Sequence, residues 1–195
     1  MKLSEDILVN NLSKYKKRLV AYIGEELANS VIKSLGGDEA VMKASFATTN
    51  DNALCYDGAF IRGILDVATY AVKINALLPE DKQVDKDSLV KVILLSQISK
   101  VLMFTPNTND WEVQKRGMVY TFNNLEGALR MGERSLLIAM NAGVKFTAEE
   151  FEAMRILDKS SDDDNYAKYY SSMLSTLVKQ ANEIVIVLNK VEKEN

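Results

Sequence analysis

Residues 90–104 read VKVILLSQISKVLMF, and the reading of this run decides the fold. It is apolar on nearly every side, which suits a central helix with neighbours on most of its faces. The spacing predicts one buried helix over residues 86–103. Two polar residues, Ser96 and Gln97, stand side by side within it. Burying such groups without hydrogen-bond partners costs on the order of 1–3 kcal/mol each. Their presence therefore calls for partners and for a reason.

Outward from this run, strict apolar–polar alternation is scarce and proline occurs only at Pro79 and Pro106, so amphipathic helices separated by short breaks are expected. The fold class is all-α. A first helix starts near Ser4, buries Leu8, Leu12, Tyr15, Leu19 and Tyr22, and stops at Gly24. A second, EELANSVIKSL, runs into Gly36-Gly37, and a short DEAVMKAS segment follows. Residues 1–50 read as an N-terminal helical extension of a main helical domain, residues 51–195, the two forming one compact unit. Apolar positions from Phe60 to Leu77 keep a helical period, and PEDKQVD ends that element. Between residues 104 and 124 the period is lost; WEV and MVYTF predict a small hairpin near residues 111–122. A helix is expected from about Asn124 to Gly143. Thr147 and Glu150 form a capping box that opens the next, and a long helix follows the acidic stretch SSDDDN.

The totals exclude whole classes of chemistry. The 195 residues are 47% hydrophobic and 26% charged, enough for one sizeable core. A formal charge of -3 gives no global attraction to nucleic acid or to an anionic membrane. The basic stretch KYKKR, residues 14–18, reads as a solvated face with Tyr15 and Leu19 turned inward. The single cysteine, Cys55, precludes an intrachain disulfide and a cysteine-based zinc site. No run approaches the ~18 apolar residues of a membrane span, and the start MKLSEDILVNN lacks the cationic end of a signal peptide. A cytoplasmic protein is expected. Most decisive, there is no histidine. That removes Ser-His-Asp and Cys-His catalysis and the commonest nitrogen ligand for metals.

Five segments, taken together, resemble the HD-domain superfamily of metal-dependent phosphohydrolases, in its compact bacterial and phage versions. YDGAFIRGILDVA is similar to the family's glycine turn and first histidine helix, and LLSQISK matches the frame of the Leu-Leu-His-Asp-x-x-Lys pattern. The resemblance continues through Trp111, Tyr120 and Asn123-Asn124 to LRMGERSLL, similar to a Gly-His-Gly-Glu-Lys-Ser segment. EAMRIL and QANEIV then stand where Ile-Arg-Trp-His and His-x-Ala-Asp stand in the family. The likeness spans roughly residues 54–190 and implies a helical bundle of HD type.

On this alignment Ser96 and Gln97 occupy the His-Asp positions, and the other metal-site positions are Gly63, Met131, Leu157 and Asn182. The resemblance implies that these positions once held divalent metals generating a hydroxide for phosphoester hydrolysis, which needs imidazole and carboxylate donors. Glycine, methionine and leucine do not replace them, so no metal and no cofactor are expected. Met131 and Leu157 read as apolar fill of an abandoned site. Ser96, Gln97 and Asn182 are free to bond one another or nearby backbone. Basic positions persist at Lys100, Arg134 and Arg155, where a phosphate or nucleotide would be held without hydrolysis unless they pair with Glu133, Glu152 or Asp158. Asp57, Asp66 and Asp162-Asp163-Asp164 are the remaining carboxylates for a hard ion.

The expected function is therefore non-catalytic: a pseudoenzyme of HD type kept as a structural or interaction protein. It would self-associate or join a protein partner, as in a phage virion, and the last helix offers a seam of Leu174, Leu177, Ala181, Ile184, Leu188 and Val191. The alternatives are a phosphate- or nucleotide-binding pseudoenzyme and a phosphohydrolase with a carboxylate metal site.

Overall fold

Glycine and proline divide the chain as their local chemistry dictates. In the computed structural model, which describes residues 3–157 and 172–191, helix α1 (Glu5–Ile23) ends at Gly24, whose φ of 84° is costly for any residue with a Cβ. Helix α2 (Glu25–Ser34) starts directly after it, and α3 (Asp38–Lys43) follows Gly36-Gly37. Helix α4 (Ala59–Leu77) ends before Pro79. The Asn75 side chain then closes the PEDKQVD turn: its amide donates to Val84 O at 2.9 Å and accepts from Val84 N at 3.0 Å.

Helix α5 (Lys86–Ser96) is capped by Asp85, whose carboxylate accepts from Ser88 N. Here the expected single helix over residues 86–103 is corrected. The chain breaks at residues 97–99 and resumes as the one-turn helix α6 (Lys100–Met103). Strand β1 (Phe104–Pro106) follows at once and pairs antiparallel with β2 (Tyr120–Phe122), Phe104 opposite Phe122 with their rings edge to face at 5.3 Å. A small antiparallel pair is thus present, but WEV is not one of its strands. It lies in helix α7 (Asp110–Arg116), because the Asn109 side chain accepts from Trp111 N and Glu112 N and caps that turn. Helix α8 (Met131–Asn141) begins seven residues later than the pattern predicts. The Thr147–Glu150 capping box does open α9 (Ala148–Ile156), and α10 (Met173–Leu188) completes the described chain. Asp158 and the acidic run Asp162-Asp163-Asp164 lie outside the described residues.

The core is built on α5. Helix α4 packs on α5 and lies along α10, while α9 packs on α5, α8 and α10. Residues 3–45 contribute to that core: Tyr15 and Leu19 of α1 are fully buried in the same cluster as Ile93 and Leu94. Helix α9 is fastened to α5 by a partly buried ion pair, Lys91 Nζ to Glu150 Oε2 at 2.7 Å. That carboxylate also receives Thr147 N–H. Of the seam on the last helix, Leu174, Leu177 and Ala181 are buried within the chain, whereas Leu188 and Val191 face outward. No helix among the described residues is long and apolar enough to cross a membrane.

The break in the central helix explains its polar residues. A continuous helix would send Gln97 N–H to Ile93 O and Ile98 N–H to Leu94 O; both turn instead to Leu95 O. Two hydroxyls fill the vacated places. Ser96 Oγ donates to Ile93 O at 3.1 Å, and Tyr15 Oη, from α1, donates to Leu94 O at 2.8 Å. Tyr15→Phe should therefore cost about 1–2 kcal/mol by leaving a buried carbonyl without its donor. Urea denaturation reads this directly, and an unchanged midpoint would show that the Tyr15 hydroxyl does not hold the break.

Candidate functional site

The break aims Lys100 inward. From residue 97 onward the backbone tightens, with Lys100 N bonding Gln97 O and Leu102 N bonding Ser99 O three residues back. Lys100, at the start of α6, is 6% exposed. Its Nζ donates to Phe46 O at 2.7 Å and stands 3.5 Å from the centroid of the Phe46 ring. Burial pushes the amine down to about 7.

Phe46 is held there by Gly63. This glycine lies mid-helix in α4, and a Cβ built on it would fall 2.3 Å from Phe46 Cδ2. The aromatic ring thus occupies the space in front of residue 63, the position that the HD resemblance gives to a first histidine. Gln97 and Asn182 are brought together as well: Gln97 Nε2 donates to Asn182 Oδ1 at 2.8 Å across α5 and α10. Ser96 takes the other course and bonds backbone. Leu157 is buried in the core. Met131 is not core fill; it is half-buried at the start of α8, where its carbonyl accepts from Ser99 Oγ at 2.9 Å. Ser135 Oγ meets both Ser99 N and Ser99 Oγ, so the turn after Gln97 is bonded to α8.

Two of the three basic positions are spent on backbone carbonyls. Lys100 is buried on a carbonyl. Arg134 spends its guanidinium on Glu126 O and Gly127 O, at 3.0 and 2.8 Å, fixing the loop before α8. Arg155 is half-buried in the last turn of α9. Of the acidic residues expected beside them, Glu133 Oε2 accepts from Arg130 N, and Glu152 Oε1 from Ser172 N and Ser175 Oγ. Asp57 accepts from Tyr120 Oη at 2.6 Å, and Asp66 lies 3.8 Å from Arg62. Among the described residues, no three His, Cys, Asp or Glu side chains converge on one point.

What does converge is a cavity of about 520 Å³ lined by the 46–52 segment, Lys100, Phe104 of β1, Met131 and the end of α10. Its walls are tied by backbone. Ala53 N bonds Asn189 O and Val191 N bonds Asp51 O, both at 2.7 Å, so the 50s segment is stitched to the end of α10. On its other side Tyr120 N bonds Thr48 O and Asn50 N bonds Gly117 O.

No family model, curated protein or solved structure matches this chain. Phe46, Thr49, Asp51 and Lys190, which border the cavity with Lys100, belong to no motif in the sequence. One signal was present. A lone glycine inside an apolar helix, Gly63, costs about 1 kcal/mol against alanine and therefore marks a close approach by another group.

Proposed function

We propose that this chain is a non-catalytic helical domain of HD type whose former ion-binding positions now serve packing, and that it works as an interaction module. It self-associates or is built into a larger protein assembly, of which a phage virion is one form. The observation that carries the reading is the Phe46 ring seated on Gly63, which fills the volume that a first ligand would need. The amide pair Gln97–Asn182 supports it, since both side chains satisfy each other where a carboxylate would have gripped an ion. For the interaction role, support comes from the end of α10, where Ile186, Val187, Leu188 and Val191 are all exposed. Apolar side chains gathered in this way mark contact surfaces.

Sedimentation of the purified protein tests the assembly. A dimer or higher species is expected, and Val187→Glu with Leu188→Glu should reduce it to a monomer that keeps its helical circular dichroism. A strict monomer with no copurifying partner overturns the interaction role. Turnover of phosphoesters with Mg²⁺ or Mn²⁺, lost in a Gln97→Ala variant, overturns the non-catalytic one. A phosphorylated ligand held by Lys100, Arg134 and Arg155 is the weaker reading, because the first two already serve backbone carbonyls.

A further inference from the structure

We propose that the cavity above Lys100 is a binding site for a small aldehyde or ketone, which it holds reversibly as a Schiff base on Lys100 Nζ. This goes beyond the interaction role and does not depend on it, since a stoichiometric adduct is not turnover.

Three observations carry the assignment. The cavity, about 520 Å³, lies within the range of small-molecule sites. Lys100 lines it, and the Lys100 amine is held in place, donating to Phe46 O at 2.7 Å, with no carboxylate paired to it among the described residues. The surroundings of that amine are aromatic, with the Phe46 ring centroid at 3.5 Å and that of Phe104 at 6.0 Å. The charged groups bordering the cavity are Asp51, whose carboxylate accepts from the Thr49 hydroxyl, and Lys190 beyond the end of α10. A lysine desolvated in this way is the form used for carbonyl capture. Burial moves its titration to about 7, so that much of it is free base near neutrality.

The chemistry balances without an oxidant or reductant. The Nζ lone pair attacks the carbonyl carbon, a C–N bond forms, and the carbonyl π electrons pass to oxygen. A proton moves from nitrogen to that oxygen to give the carbinolamine. The hydroxyl then takes the remaining proton of that nitrogen and leaves as water while the nitrogen lone pair forms the C=N bond, and hydrolysis reverses each step.

The test treats the whole protein with pyridoxal 5′-phosphate at pH 7.5, traps imines with borohydride and maps the adducts by mass spectrometry. Lys100 should be modified at least ~10-fold faster than any exposed lysine, as expected for a desolvated amine. The preference should vanish when the protein is labelled in guanidinium, and Lys100→Arg should lose the adduct. The pH dependence of wild-type labelling is a second readout that needs no variant to fold, and its half-point should fall near 7. Adducts spread over exposed residues such as Lys14 and Lys17 with Lys100 unmodified would overturn the proposal. So would a half-point near that of an ordinary lysine.

Discussion

Gly63→Ala should destabilise the protein by about 3 kcal/mol, although the same change in an exposed helix interior stabilises by about 1 kcal/mol. The sign is set by Phe46. An added Cβ would fall 2.3, 2.6 and 2.7 Å from three ring atoms, all closer than real contacts allow. The ring has little room to retreat, being 2% exposed. Its own carbonyl is fastened by Lys100 Nζ, which also stands over the ring. Phe46→Leu introduced together with Gly63→Ala should recover part of the loss, because contacting residues couple in a double-mutant cycle. Chemical denaturation of the four proteins measures that coupling. An alanine variant as stable as the parent would dissolve the claim that Phe46 fills the place of a ligand.

Lys100 should make the protein more stable as pH rises from 7. The sign follows from the depressed basicity of its amine. The folded state binds the Lys100 proton less tightly than the unfolded chain, so charging the amine at low pH opposes folding. Stability is least below the folded value of about 7 and climbs toward the unfolded value of 10.5. Each pH unit between the folded and unfolded values is worth about 1.4 kcal/mol; between pH 7 and about pH 8.5 the gain should reach about 2 kcal/mol. Above that window Cys55 acts in the opposite sense, since burial raises its thiol to about 11 and the unfolded chain then loses a proton first. Lys100→Met should flatten the curve over the same window. Urea titrations of both proteins at several pH values decide the matter, and a wild-type curve already flat from pH 7 to 8.5 would refute the assignment.

Much of the helical frame is legible in the sequence because its signals are local. Gly24, Gly36-Gly37 and the Thr147–Glu150 box act over one turn, and α1, α2, α4 and α9 begin or end where such local signals dictate. The central break is not legible. Ser96 and Gln97 read as polar residues within a helix, whereas the tertiary donor Tyr15, 79 residues away, lets the helix stop there. Strand β1 is hidden for a related reason: its Phe104 continues an apolar run that reads as helix until Tyr120–Phe122 supplies a pairing partner. Helix α7 is masked because one cap residue, Asn109, sets it in a stretch without period. Of the site positions, the meeting of Gln97 with Asn182 is one of the pairings their polarity allows, yet Phe46 above Gly63 carries no motif. Its role is a matter of volume, which a linear string does not display.

The stitching of the 50s segment to the end of α10 has a bearing on biosynthesis. Backbone bonds from residues 51 and 53 to residues 191 and 189 unite parts of the polypeptide that leave the ribosome far apart in time. Until α10 is translated, the face of α4 that it covers stays bare, and such late, long-range closure slows folding and invites nonspecific sticking. A nascent chain cut off before α10 is therefore an open apolar trough rather than a smaller working domain.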